Sequence, residues 1–277
     1  MGSQGDRMPE RTVSFLHVSD LHLLGDARRR QHGVDTAANL RQAIPMMRAL
    51  CPDFIVATGD LTSDGSEASY RRLQSLLEPL PVPVYFVMGN DDDRAAFRRV
   101  FRPDERPSPD PVYAAFEQGE TRFLLLDSAL PGKVEGHLAA EQLRWLEREL
   151  SAHPDRPAWV FLHHPPLPIY LRWLDALGLT NREEFLAVLA RYPQVASVCY
   201  GHVHQARCFR YEGVLFQSVP SLAFQFSPIS QEREITPASP GFRRIEVRGG
   251  KRYSWLHFLD DRIVPEPPLS AIPVYVR

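Results

Sequence analysis

Residues 13–22 read VSFLHVSDLH. Val13, Phe15, Leu16 and Val18 form a short apolar run of β-branched and aromatic residues, the composition of a strand. The run stops at Ser19, and a carboxylate and an imidazole, Asp20 and His22, follow two positions apart. A strand that delivers metal-binding side chains just past its own C-terminal end is the repeating unit of a ligand-binding α/β sheet.

Working outward, the same event recurs four times. The run 54–58 ends in Gly59-Asp60, 84–88 in Gly89-Asn90, 158–162 in His163-His164, and 195–200 in Gly201-His202-Val203-His204. A further apolar run covers 122–127. Between these strands lie residues at helical spacing: Ala37, Leu40, Ile44, Met47 and Leu50, with Pro45 expected to bend that helix; Leu143, Leu146 and Leu150; Phe185, Val188 and Leu189. This alternation predicts an α/β domain with a largely parallel or mixed sheet covered by helices. After Gly201 the pattern changes to antiparallel strands within 205–219 and 242–258, with turns at Glu212-Gly213 and Gly249-Gly250. The Pro-rich stretches 102–111 and 265–273 read as loops, and the polar segment 225–240 as a loop near the site.

The chain has 277 residues and a net charge of −2, so bulk charge provides no pull toward nucleic acid or an anionic membrane. Of 32 Lys and Arg residues only Lys133 and Lys251 are lysines, and neither sits in a phosphate-binding glycine loop, which excludes a P-loop NTPase. Cys51, Cys199 and Cys208 form no CxxC pair, against both a disulfide framework and a thiolate zinc site. No apolar run approaches membrane-spanning length and no signal-peptide core opens the chain, so a cytoplasmic protein is the expectation. Residues 1–10 read as a flexible tail and 11–277 as a single domain.

Each strand-end motif alone is weak. A lone histidine after a strand is more often a hydrogen-bonded loop residue than a ligand, and Gly-Asp is usually a turn. Five together, each carrying an oxygen or imidazole ligand, point to a metal or catalytic centre. His164 reads as a supporting residue, His17 as a packed core residue, and His32 and His137 as loop residues near the site.

From Ser14 to Phe224 the sequence resembles the calcineurin-like metallophosphoesterase superfamily: Asp20-Leu21-His22, Gly59-Asp60, Gly89-Asn90, His163 and Gly201-His202-Val203-His204 match its blocks in order. Gly33-Val34-Asp35-Thr36, Leu126-Asp127-Ser128, the 142–146 helix and His163-His164-Pro165-Pro166 resemble its bacterial class III cyclic nucleotide phosphodiesterase branch. The resemblance implies an αββα sandwich of two mixed sheets with two divalent metal ions at the strand ends. One ion would take Asp20, His22 and His204, the other Asn90, His163 and His202, with Asp60 bridging them. Imidazole with carboxylate suits Mn²⁺, Fe or Zn²⁺. The implied reaction is attack of a metal-held hydroxide on phosphorus, with Asn90, Asp91 and His22 beside the phosphate. The implied substrate is a small phosphoester, cyclic nucleotides leading, with a pyrophosphatase or broad phosphoesterase as the second reading. A metal-binding scaffold without catalysis is the third, and the intact ligand set speaks against it. A homodimer is in keeping with the resemblance.

One position departs from the family. Its usual block is Gly-Asn-His followed by an acid; here Asp91 replaces that histidine, which in the family contacts the phosphate and helps protonate the leaving group. A carboxyl with an unperturbed pKa near 4 is a poor proton donor at pH 7. Three readings stand: Asp91 strengthens metal binding, it turns away from the chemistry, or the enzyme favours leaving groups that need little protonation. Asp92 matches the family's acid, and Asp93 is expected to cap the helix that begins near Arg94.

Overall fold

The computed structural model describes residues 12–249 and 251–275, so the expected tail falls outside the described residues. The first half runs β1 (Val13–Val18), α1 (Thr36–Ala49), β2 (Phe54–Thr58), α2 (Glu67–Leu77), β3 (Val84–Val87) and α3 (Arg94–Phe101). The second runs β4 (Ala114–Gln118), β5 (Thr121–Leu125), α4 (Ala140–Ala152), β6 (Ala158–Phe161), α5 (Arg172–Asp175), α6 (Arg182–Leu189), β7 (Val195–Tyr200), β8 (Cys208–Tyr211) and β9 (Val214–Ser218). A small ribbon of β10 (Gln225–Phe226) and β11 (Ile235–Thr236) precedes β12 (Gly241–Arg248), β13 (Lys251–Phe258) and β14 (Ile263–Pro265).

The strands form two six-stranded sheets, ordered β14-β13-β12-β1-β2-β3 and β4-β5-β6-β7-β9-β8. The chain therefore returns to its first sheet at the end, where β12 pairs antiparallel with β1. The β1-β2-β3 and β5-β6-β7-β9 pairings are parallel. Parallel neighbours place their C-terminal ends at one edge, and those ends carry the polar motifs.

Strand alternation sorts the core into layers. Phe15, Phe54 and Val56 from one sheet meet Phe123, Leu125, Trp159 and Phe161 from the other. Phe15 stacks on Phe54 at 5.0 Å and meets Phe123, Trp159 and Phe161 edge-on, a preferred ring geometry. The alternate residues Leu16, Val18, Ile55 and Ala57 face outward onto α1, α2 and α3 through Leu40, Met47, Tyr70 and Phe97. Leu124, Val160 and Val198 face outward onto α4 and α6 through Leu146, Leu150 and Phe185. The result is the expected helix–sheet–sheet–helix sandwich. Each fully buried aromatic or aliphatic side chain contributes about 1.5–3 kcal/mol.

The expected strands 84–88, 122–127 and 158–162 end one or two residues earlier, although Met88, Leu126 and Leu162 remain buried in the helix-facing core. Helix α1 continues through Pro45, with Asp35 accepting the Ala38 N–H as its N-cap. The Glu212-Gly213 turn joins β8 to β9 with φ of 49° and 86°. The expected turn at Gly249-Gly250 lies between β12 and β13, with Gly250 outside the described residues. Helix α2 and strand β4 were not anticipated. The segment 225–240 contains the β10–β11 ribbon.

Candidate metal centre

The five strand ends meet. Asp20 and His22 leave β1, Asp60 leaves β2, Asn90 leaves β3, His163 leaves β6, and His202 and His204 leave β7. Backbone bonds join the loops: Asp20 N–H to Gly59 O at 3.0 Å, His22 N–H to Asp60 O at 2.9 Å, and Gly201 N–H to His163 O at 3.0 Å. Asp20, His22, Asp60, His202 and His204 all have φ between 45° and 67°, the left-handed region that side chains other than glycine rarely adopt. Such strain persists where the surroundings over-determine it, and it clusters at functional sites. The glycines are required by close approach: a Cβ at Gly89 would lie 2.1 Å from Asp60 N, and one at Gly201 1.9 Å from Ser19 Oγ.

The side chains form two groups around Asp60. Its Oδ2 lies 3.7 Å from His22 Nε2, and its Oδ1 lies 3.5 Å from His163 Nε2. On the first side, His22 Nε2 stands 3.3 Å from His204 Nε2, which stands 3.3 Å from Asp20 Oδ1. On the second, His202 Nδ1 stands 3.3 Å from His163 Nε2 and 3.1 Å from Asn90 Oδ1. Every one of these residues except Asn90 is buried.

These contacts fit cations. The His163 Nδ1–H donates to Thr58 O at 2.7 Å and the His204 Nδ1–H to Phe224 O at 2.6 Å. A carbonyl only accepts, so in each ring Nε2 turns a lone pair, not a proton, toward the cluster when the ring is neutral. The facing nitrogens, 3.3 Å apart in each pair, share a proton when one ring is protonated and equally suit two ligands of one ion, each about 2.0–2.2 Å from it. Asp20-His22-His204, Asp20-Asp60-His163 and His22-Asp60-Asp91 each bring three ligand atoms within 4.8 Å of one another.

The electrostatics agree. Burial opposes charge on His163, but the Asp60 carboxylate outweighs it and lifts the pKa to about 10. Burial would raise Asp20 and Asp60; neighbouring histidines overcome it, holding Asp20 down to about 2 and Asp60 well below the usual carboxylate range. Burial and the His163 charge push His202 down to about 3. The cluster thus demands positive charge beside two carboxylates, and bound cations would release the proton from His163.

The surrounding residues differ in their contacts. His164 contacts Ser128 Oγ at 2.8 Å and Val134 O at 3.0 Å through its two ring nitrogens, and it also brings a nitrogen within 4.8 Å of ligand atoms of His163 and His202. His17 is fully buried with Nε2 on Thr58 Oγ1 at 2.8 Å. His32 meets Phe224 edge-on and accepts from Arg233, while His137 contacts Thr180 away from the cluster. The three acids of the Asn90 loop divide. Asp93 caps α3, accepting from Ala96 N at 2.7 Å. Asp92 turns inward and accepts from Gly89 N, Leu61 N, Thr62 N and Tyr70 Oη, tying the β2 and β3 loops together. Asp91 points to His22, with Oδ2 3.3 Å from Nδ1.

Beside the cluster opens a cavity of about 230 Å³, walled on the far side by Trp173, Leu174, Leu177, Phe224 and Phe226, with Arg233 at its rim. Phe224 stacks on the His22 ring, so it serves the site and the core together. Trp173 and Arg233 escaped sequence reasoning, because they come from a short helix and a polar loop that no motif marks.

A family model described as calcineurin-like phosphoesterase matches residues 13–206. A Nostoc sp. protein named 3',5'-cyclic-nucleotide phosphodiesterase is 34% identical over 240 residues, 85% of this chain and 88% of the relative. The Escherichia coli protein named 3',5'-cyclic adenosine monophosphate phosphodiesterase CpdA is 33% identical over 261 residues, 93% of this chain and 94% of its own. Among solved structures, a dimetal phosphatase from Danio rerio superimposes with a TM-score of 0.71 at 16% identity, covering 94% of this chain and 100% of that one, and speaks for the fold alone. Matched blocks, sandwich and clustered ligand types agree: this chain belongs to the calcineurin-like phosphoesterase family, whose members imply a dinuclear divalent metal site.

Proposed function

We propose that the protein is a metal-dependent phosphodiesterase that hydrolyses 3',5'-cyclic nucleotides. The observation that carries this reading is Asp60, which offers one carboxylate oxygen to each of two imidazole groups. Asp20, His22 and His204 would hold one ion, and Asn90, His163 and His202 the other. Mn²⁺, Fe and Zn²⁺ suit these donors. Two such ions, when bound, polarise the phosphoryl oxygens and supply a nucleophilic water at neutral pH.

The chain's own residues do the remaining work. His22, Asn90 and His202 line the cavity floor and orient the phosphate. Trp173, Phe226, Leu174 and Leu177 form an apolar wall that excludes water and suits a nucleobase. About 230 Å³ holds a small molecule rather than a polymer. The relatives named for cyclic nucleotides support the same substrate class. No helix among the described residues is long and apolar enough to cross a membrane, and the free cysteines suit a reducing cytoplasm.

A second reading rests on Asp91. With a carboxylate where the family has an imidazole, preference for phosphoanhydrides or activated esters is the alternative. A substrate panel on metal-stripped protein reloaded with Mn²⁺ decides between them: cyclic AMP, cyclic GMP, bis-p-nitrophenyl phosphate, ADP-ribose and a diadenosine polyphosphate. We expect cyclic nucleotide hydrolysis with kcat/KM of about 10⁴ M⁻¹s⁻¹ or more. Turnover of the anhydrides and nitrophenyl esters alone would overturn the cyclic nucleotide reading.

A further inference from the structure

We infer that Asp91 is a positioning residue that clamps one ligand from each ion site, fastening His22 with one carboxylate oxygen and Asn90 with the other. The inference rests on the two-ion reading above.

Asp91 Oδ2 lies 3.3 Å from His22 Nδ1, a buried nitrogen that makes no hydrogen bond, so the contact is a close charge approach that a small shift of the carboxylate would turn into one. Asp91 Oδ1 accepts from Asn90 Nδ2 at 2.9 Å, which leaves Asn90 Oδ1 facing His202. The Asp91 N–H donates to Asp60 Oδ1 at 2.9 Å, so the backbone that carries the clamp is fastened to the central carboxylate.

Two of the other histidines need no such help. His204 of the first site and His163 of the second are oriented by backbone carbonyls, which the fold supplies whatever the neighbouring side chains. His22 depends on a side chain. A carboxylate on its Nδ1–H holds Nε2 toward Asp60 and His204 as a lone pair and makes the ring a stronger donor to a cation. The two donors, an imidazole N–H and an amide N–H, need two acceptors on one side chain. Ionised aspartate has two acceptor oxygens, whereas a neutral histidine at position 91 would offer one acceptor nitrogen and an unwanted donor. Replacement of the family's histidine therefore gives this position a different role, in which it serves the ligands and not the leaving group.

Metal-free wild-type, Asp91→Asn and Asp91→Ala proteins are titrated with Mn²⁺ against a competing fluorescent chelator, and Co²⁺-loaded samples are compared by visible absorption, all without substrate. Asp91 is one-third exposed, and both variants are expected to fold, which their far-ultraviolet circular dichroism checks. We expect two ions in the wild type, binding about 10- to 100-fold weaker in both variants, with altered Co²⁺ bands. Excess Mn²⁺ then restores turnover of Asp91→Asn equally on esters of good and poor leaving groups. Wild-type affinity and bands in both variants would overturn the clamp while leaving the two-ion reading intact. A defect confined to poor leaving groups that survives excess Mn²⁺ would place Asp91 in proton transfer and overturn it too. Fewer than two ions in the wild type would overturn the two-ion reading, and the clamp with it.

Discussion

The molecule buries charge in two places, and the two are built differently. One is the strand-end cluster around Asp60. The other lies between the sheets, where the fully buried Arg243 of β12 donates to Glu266, Ser218 O and Ser254 Oγ. Arg252 joins it, donating to Glu266 at 2.6 Å and to Gln217 at 2.7 Å. In this knot one carboxylate, Glu266, faces two guanidiniums. In the strand-end cluster, nitrogens face nitrogens at 3.3 Å and carboxylates gather with only protons to balance them. The knot joins two sheets; the strand-end cluster gathers the donor types that divalent cations take. Burial of charge is common to both, and what differs is the donor set: imidazoles and carboxylates at the strand ends, guanidiniums in the knot.

The contrast breaks most visibly at Asp60. Asp60→Ala removes the one residue shared by both imidazole groups. We expect activity at limiting Mn²⁺ to fall by about 10⁴-fold, roughly 5 kcal/mol of transition-state stabilisation. The wild type should melt several degrees higher in Mn²⁺ than in chelator, since a ligand at about 100 times its Kd stabilises by about 2.7 kcal/mol. The variant should lose most of that difference. Near wild-type turnover, or an unchanged Mn²⁺-dependent shift in Tm, would dissolve the distinction drawn between the clusters.

The knot should respond in the opposite way. Glu266→Gln leaves Arg243 and Arg252 side by side in the interior without their carboxylate. Breaking a buried pair in this manner costs about 3–5 kcal/mol, a large part of the roughly 5–15 kcal/mol by which domains are stable. We expect Tm to fall by about 10 °C, by the same amount in Mn²⁺ and in chelator. A drop that Mn²⁺ abolishes would mean that the knot belongs to the metal centre.

The two clusters also differ in how well the sequence announces them. All seven expected ligand residues come together, because each follows a strand that apolar composition reveals and each breaks it with Gly, Asp, Asn or His. The sheets were legible for the same reason: Phe15, Phe54 and Val56 alternate with outward residues on short parallel strands. The knot was not legible. Arg243 and Arg252 look like solvent-facing charges on antiparallel strands and Glu266 like part of a Pro-rich loop, and the return of β12 to the side of β1 buries Arg243 fully. Helix α2 hid its apolar stripe, Tyr70, Leu73, Leu76 and Leu77, among Arg, Gln and Ser. Strand β4 is half-exposed throughout and shows no clean alternation. Asp91 was legible as a departure, but its partner, 69 positions earlier in the chain, was not: distance along the chain conceals a contact that three strand ends create.

His17 lies between the two clusters and registers both. Burial, and then the positive charge of Arg243, push its pKa down to about 3, while Asp20 pulls weakly the other way. The folded protein therefore keeps His17 neutral, but the unfolded chain binds a proton there below its ordinary pKa of 6.5. The sign follows: the stability contributed by neutral His17 is complete above pH 6.5 and is lost as the pH falls toward 3, at up to about 1.4 kcal/mol per pH unit. His17→Gln keeps a hydrogen-bonding partner for Thr58 and cannot titrate. Denaturant unfolding in chelator, where metal release plays no part, should show the variant about 1 kcal/mol weaker near pH ~7.5. Its stability should then decline less steeply than the wild type's between about pH 6.5 and 4.5. His163 titrates in both proteins, so it cancels in the difference. Parallel declines would show that His17 is charged in the fold, and that Asp20, not Arg243, governs the space between the two clusters.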